Sequence, residues 1–270
     1  MSPTGAPRAR IASRHNALVR AARDLHKVAG RREQRAFLAE GTRLVLDALD
    51  AGARPSVAFV APELLERRPE GARVRQALAG TRVVETTPEL LQWIADVETT
   101  QGVVVVFPLP EGGHAGEPGH LVVVLDGLQD PGNVGTILRS SLASGLVSTV
   151  VVRGGADPYG PKAVRAAAAA LFHLRVIRPT DEELAALLAG RPVWLAEART
   201  GTPYDRVDWR TPSALVVGSE ARGPSEPMRR LGAGSVHIPI AGPVESLNVG
   251  VAASIIAFEA ARQVAAATTA

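Results

Sequence analysis

Five short apolar runs after residue 120 most constrain the fold: Leu121–Leu125, Thr149–Val152, Pro192–Leu195, Leu215–Val217 and Val236–Ile238. None alternates with polar residues, so each reads as a strand covered on both faces. Helical patterns separate several of them, at Val134–Ala143, at Pro161–Ala170, and at Asp181–Leu188 behind Thr180 as cap. A final helix covers Leu247–Val264. This alternation predicts an α/β fold with a mostly parallel sheet.

A chain of 270 residues can bury such a core without covalent staples. It contains no cysteine, which excludes a disulfide framework, cysteine-ligated zinc, an iron–sulfur cluster and a thiolate nucleophile. Met1–Arg10 lacks an apolar signal region, and no uninterrupted apolar run approaches the roughly 18 residues of a membrane helix. The expectation is a cytoplasmic protein without a membrane partner.

Pro108–Gly119 reads PLPEGGHAGEPG, with little to bury, and marks a linker. The expected division is 1–107 as a small α/β domain, 108–119 as linker and 120–270 as the larger domain. In the first part, Thr42–Leu49 reads as a helix stopped by Gly52, and Val57–Val60 and Arg82–Val84 read as strands. Thr87-Pro88-Glu89 caps a helix through Leu90–Ile94, and Val103–Phe107 closes the domain as a strand.

Charge is concentrated at the front. The formal total is +3, yet residues 1–35 hold nine Arg/Lys against only Asp24 and Glu33. Over Arg14–Lys27, Leu18, Ala22 and Leu25 recur at helical spacing, while Arg20, Arg23 and Lys27 fall on another face. Such a row can track nucleic-acid phosphates or can be an ordinary solvated face. The residues alone leave both readings open.

Polar residues gather where strands end. Asp126-Gly127-Leu128-Gln129-Asp130-Pro131-Gly132-Asn133 follows the first run and opens a helix carrying Arg139. A glycine-rich turn before a helix suggests a dinucleotide site, but Gly127, Gly132 and Gly135 do not follow G-x-G-x-x-G. The next strand also ends at Arg153, where a nicotinamide cofactor's ribose would want an acid. Gly218-Ser219-Glu220 and Ser246-Leu247-Asn248 lie at or after the ends of two later strands. Glu220 could be a loop acid, and Ser246 or Asn248 a helix cap. Capping alone does not account for Asn133, Arg139, Glu220, Ser246 and Asn248 all lying at strand ends or the helix starts that follow. The six histidines, His15, His26, His114, His120, His173 and His237, show no metal-ligand spacing, so no metal is expected.

The segments LDGLQDPGNVGTILRS, VVGSEARGPS and IPIAGPVESLNVGVAASI, in this order, closely resemble the three motifs of the SpoU (TrmH-like) RNA 2′-O-ribose methyltransferases. DPYGPKAVR is similar to the family's intermediate stretch. RIASRHNALVRAARDLHK with FLAEGTRLVLDAL is similar to its fused substrate-binding domain. The resemblance implies a deep trefoil knot in the C-terminal domain, a homodimer and S-adenosylmethionine as methyl donor. Carried over by position, it implies cofactor contacts at Leu195, Gly218, Ile238 and Leu247. Asn133, Arg139, Glu220, Ser246 and Asn248 would surround the ribose and the transferred methyl.

Arg165 becomes a further RNA contact, within one chain or across a dimer, beside Arg14, Arg20, Arg23 and Lys27. Guanidinium keeps its proton throughout the pH range proteins tolerate, so Arg139 is expected to orient phosphate and 2′-oxygen rather than act as base. The family's departures here are AAAAALF after Arg165 and Gly250 in the last motif, and neither removes a candidate catalytic residue. Ribosomal RNA is favoured over transfer RNA because of the N-terminal domain. A non-catalytic RNA-binding or assembly factor and a nucleotide-dependent oxidoreductase are the alternatives.

Overall fold

The helix and strand signals before residue 108 resolve into one four-stranded sheet with helices around it. The computed structural model describes residues 10–110 and 118–268. Met1–Ala9, with Arg8 of the basic front end, and linker residues 111–117, with His114, lie outside the described residues. The chain divides into two units: residues up to Leu109 together with Tyr159–Arg165, and the remainder.

The first unit contains α1 (Ala17–Asp24), α2 (Val28–Gln34), β1 (Ala36–Glu40), α3 (Thr42–Asp50), β2 (Val57–Val60), α4 (Pro62–Leu65), α5 (Gly71–Ala77), β3 (Val83–Glu85), α6 (Pro88–Ala95) and β4 (Val103–Pro108). The strand order is β1-β4-β2-β3, with β4 antiparallel to both neighbours and β2 parallel to β3. Val103–Phe107 is fully buried, which fits a central strand made of valine and phenylalanine. Thr87 caps α6 by accepting from the Leu90 amide at 3.2 Å, with Pro88 at the first helical position.

The basic row at the front is not one helix. α1 starts at Asn16, whose side chain accepts from the amides of Leu18 and Val19, and it ends at Asp24. Val19, Ala22 and Leu25 bury the apolar face, each large side chain contributing about 1.5–3 kcal/mol. The buried Arg31 guanidinium then donates to the carbonyls of Leu25 (2.7 Å) and His26 (3.0 Å), closing the turn into α2. Part of the positive charge at the front is therefore committed to the fold.

His26 sits in the same unit, its Nε2 2.7 Å from the Ile94 carbonyl. Burial pushes its pKa below the usual 6.5, and the Ile94 carbonyl opposes this only in part. The unfolded chain therefore takes up this proton more readily than the folded one. Stability is fully present above 6.5 and falls as pH drops through that value toward the lower folded pKa. Denaturant midpoints measured across this range should fall on acidification, and His26→Gln should flatten that slope.

The second unit contains β5 (Leu121–Asp126), α7 (Pro131–Ser144), β6 (Thr149–Arg153), most of the segment from α8 (Pro161–Ala167) to α9 (Ala170–His173), β7 (Arg175–Ile177), α10 (Asp181–Leu188), β8 (Val193–Ala196), β9 (Thr202–Pro203), β10 (Ser213–Gly218), α11 (Glu226–Leu231), β11 (Gly234–His237) and α12 (Val249–Thr268). Its seven strands run β7-β6-β5-β10-β8-β11-β9, and every pairing is parallel. The α/β reading holds, and the sheet is wholly rather than mostly parallel. β5 and β10 are buried along their whole length, as unalternating runs require.

Two expected helices differ in detail. Pro161–Ala170 breaks into α8 and α9 at Ala168, whose φ of 51° is left-handed. Alanine there gives no packing signal a sequence could show. The last helix begins at Val249, since Asn248 serves as its cap, and extends through Thr268. By length and composition α12 is apolar enough to cross a membrane, although no uninterrupted apolar run predicts it. It buries Ala253, Ile256, Ala257 and Ala260, and Glu259 pairs with Arg262 along it.

Candidate active site

Three loops at the carboxyl ends of β5, β10 and β11 meet beside one cleft, which is lined from the ends of β8, β10 and β11 and the start of α12, where ligands of open parallel sheets gather. The first loop turns at Gly127, whose positive φ of 78° suits glycine, and its amide donates to the Arg153 carbonyl at 2.8 Å. Asp130 then caps α7 by accepting from the Gly132 amide at 2.8 Å, with Pro131 at the first helical position. This places Asn133, which is buried, in the first turn of α7.

The second loop leaves β10 at Gly218. A Cβ there would collide with the backbone of Gly223 and Pro224, so only glycine lets the loop fold back. Ser219 and Gly223 pair across the turn, with the Gly223 amide on the Ser219 carbonyl at 2.8 Å. The buried Asp126 carboxylate accepts from the Ser225 amide at 2.6 Å and pins the loop's far end to β5. Glu220 lies between these two anchors.

The third loop brings Asn248 to the start of α12. Its Oδ1 accepts from the amides of Gly250 (2.9 Å) and Val251 (3.2 Å), so its Nδ2 must point away from the helix. That Nδ2 donates to Asn133 Oδ1 at 2.9 Å, and Asn133 Nδ2 in turn donates to Glu220 Oε1 at 2.9 Å. The helix cap thus fixes the direction of every bond in a relay from Asn248 through Asn133 to Glu220. Asn248 does cap a helix, and the same side chain also orients the acid.

The adjoining cleft has a volume of about 420 Å³. Gly218, Glu220, Ile238, Ser246, Leu247 and Asn248 all line it. Leu195 does not. It is buried one residue short of the end of β8, against Leu184 and Val216, and Ala196, Glu197 and Ala198 line the cleft in its place. The Ser246 hydroxyl is exposed and has no hydrogen-bond partner among the described residues. Arg139 is exposed on α7 and is not among the lining residues.

Arg14, Arg20, Arg23, Lys27 and Arg165 all fall in the first unit. Arg23 is tied to the Trp93 carbonyl (2.8 Å) and Asp96 (2.7 Å), and Lys27 pairs with Asp24 (3.0 Å). Arg20 is exposed with no side-chain partner among the described residues. The row mixes structural and solvated cations.

Sequence reasoning missed Glu197, Asp126 and His237. Glu197 follows directly on β8, so the strand-end rule would have found it. It pairs with Arg229 at 2.7 Å at the edge of the cleft. His237 lines the same cleft, and its Nδ1 is buried without a partner. Among the described residues no group of three His, Asp or Glu side chains could hold a metal.

Residues 120–258 match the SpoU rRNA methylase family, which covers all three loops of the cleft. The chain belongs to that family. Residues 16–105 match the MRM3-like substrate-binding domain, so the first unit is of the kind fused to these methylases. An uncharacterized tRNA/rRNA methyltransferase of Synechocystis is 32% identical over 100% of this chain and 99% of its own. The 23S rRNA (guanosine(2553)-2′-O)-methyltransferase RlmP of Bacillus subtilis is 30% identical, over 92% of this chain and 97% of its own. The crystal structure of the SpoU methyltransferase AviRb from Streptomyces viridochromogenes with AdoMet superposes with a TM-score of 0.79. It is 29% identical and covers 92% of this chain and 98% of its own. The family resemblance, the α/β class and the parallel sheet read from the sequence all stand.

Proposed function

We propose that this SpoU-family chain methylates a ribose 2′-hydroxyl of 23S-type ribosomal RNA, with S-adenosylmethionine held in the cleft. The relay Asn248–Asn133–Glu220 at the cleft's edge carries this reading, because it presents one oriented carboxylate beside an apolar slot. Full-length similarity to RlmP and the structural likeness to AviRb with its AdoMet support the substrate class and the donor. Ribosomal RNA is preferred to transfer RNA on the same ground, together with the substrate-binding unit.

The cleft fits the donor. Ile238, Ile240, Leu247 and Ile256 offer apolar walls for an adenine. Gly218 lets the β10 loop fold close against the slot, and the orphaned His237 Nδ1 offers one polar partner. Leu195 would support the slot from behind, with Ala196 and Glu197 making the contact. When bound, S-adenosylmethionine supplies an electrophilic methyl group.

The remaining chemistry is positioning. Glu220, locked by Asn133, accepts a ribose hydroxyl hydrogen and fixes the ring; Ser246 holds the oxygen from the cleft's rim. Arg139 binds the neighbouring phosphate and draws the 2′-oxygen into line, while its guanidinium keeps its proton and the hydroxyl proton leaves to phosphate or water. No metal takes part.

The protein is inferred to act as a cytoplasmic homodimer without a membrane partner. On α12, Val251, Ile255 and Phe258 recur on one face, and Val251 and Phe258 remain about half exposed at 45% and 50%. A second copy of that stripe would cover them, and Glu259 with Arg262 suits an aqueous interface better than lipid. The trefoil knot is inferred from the family, and the placement of β10 between β5 and β8 supports it. Arg14, Arg20, Arg23, Lys27 and Arg165 are proposed to meet RNA phosphates, and 1–107, 108–119 and 120–270 are kept as substrate domain, linker and methylase. Labelled methyl transfer to rRNA lacking the modification tests the function, and an RNA that binds but gains no label would refute it.

A further inference from the structure

Two guanidinium groups lie over the ring of Trp93 on α6, Arg14 at 5.3 Å and Arg23 at 5.1 Å from its centre. They are held very differently. Arg23 is anchored by its bonds to the Trp93 carbonyl and Asp96, and that ion pair keeps the Asp96 carboxyl below the usual carboxylate range. Arg14 is exposed, with no side-chain hydrogen bond or ion pair among the described residues. Among the described residues the interaction that holds its guanidinium is the one with the ring. The Trp93 indole N–H likewise has no acceptor among the described residues, although part of the ring packs on the core beside Leu90 and Ile94.

The groove beside this ring is lined by Arg14, Glu89, Gln92, Asp96 and Glu98. Carboxylates at its rim disfavour a phosphate inside the groove, yet they accept N–H donors from the edge of a base. A flat aromatic surface, a loosely held cation that can lift, and acceptors around the rim together suit a nucleobase. A base inside a duplex has both faces covered by its neighbours, so the occupant must be unpaired.

We propose that Trp93, covered by Arg14, is a stacking site for one unpaired nucleobase of the RNA substrate. Arg14 then caps the base from outside, and Arg20, exposed on α1, is free to meet the adjoining phosphate. The site lies in the unit matched to a substrate-binding domain, and the inference rests on the RNA-methyltransferase reading for the identity of its ligand.

The test uses the full chain without methyl donor, an RNA hairpin with an unpaired loop, and a fully paired RNA duplex. The hairpin should quench tryptophan emission more than the duplex. Trp93→Phe should abolish that quench while Trp194 and Trp209 continue to emit, and should keep most of the affinity. Trp93→Ala should weaken hairpin binding by about 5- to 100-fold, the range of base–aromatic stacking, and Arg14→Ala by less. Equal binding of the hairpin by Trp93→Ala and wild type, or a quench that survives Trp93→Phe, would overturn the proposal. Should wild type fail to methylate rRNA while the quench behaves as described, the stacking site stands and the catalytic reading falls.

Discussion

Arg139→Ala should lower methyl transfer to rRNA by about 100- to 1,000-fold, the loss typical of removing one charged donor that meets the substrate at a reacting centre. The fold should survive it. Arg139 is exposed on α7, and exposed substitutions away from caps and networks usually change stability by less than about 0.5 kcal/mol. A loss of rate with an unchanged denaturant midpoint therefore points to the reaction itself. Arg139→Lys separates two accounts of the residue. Lysine keeps the charge but loses the planar fork, so a positioning role predicts a large loss with the pH–rate profile unmoved. A general-base role predicts the reverse, because an amine releases its proton far more readily than a guanidinium. Near-normal turnover by Arg139→Lys, or a profile moved to lower pH, would refute positioning.

The position of Arg139 also shows what a sequence can and cannot reveal. Asn133 and Arg139 share α7 but do not stand at the spacing that puts two residues on one helix face. That much was legible, and it agrees with Asn133 facing Glu220 while Arg139 faces outward. β5, β6 and β10 were legible because valine-rich runs buried on both faces leave no alternative. β1 was not, since Ala36–Glu40 mixes helix formers and becomes a strand only by pairing with β4, far along the chain. β9 spans only Thr202–Pro203, too short for any pattern.

Strand order is a long-range property, so the insertion of β10 between β5 and β8 leaves no local trace. At the site, residue types at strand ends pointed to Asn133, Glu220 and Asn248. The direction of their bonds follows only from the cap geometry of Asn248. In the basic row, Arg31 also holds the Leu25 and His26 carbonyls and Arg23 the Trp93 carbonyl and Asp96, bonds that charge counting cannot see.

Asn133→Asp should be nearly as damaging as Arg139→Ala at neutral pH, and its failure should be reversible by acid. The substitution preserves shape and still offers Asn248 Nδ2 an acceptor, but it sets a carboxylate where Asn133 Nδ2 now donates to Glu220 Oε1 at 2.9 Å. Two carboxylates that close repel each other, so protonation of one is favoured and its pKa rises above the unfolded value, while at neutral pH the pair stays charged and strained apart. The sign for stability follows: the variant is least impaired below the ordinary carboxylate range and loses stability as pH rises from there through the raised pKa. Glu220 should also turn away from its charged neighbour, and a misplacement of about 1 Å can cost on the order of 100-fold in rate. Methyl transfer by Asn133→Asp should therefore fall by at least about that factor at neutral pH and recover partly on acidification, a limb wild type lacks. Asn133→Leu completes the comparison, since it leaves Glu220 and Asn248 Nδ2, both exposed, to water instead of to the relay, and should lower methyl transfer with no acid recovery. If Asn133→Asp matched wild type at neutral pH, the relay would have no part in holding Glu220.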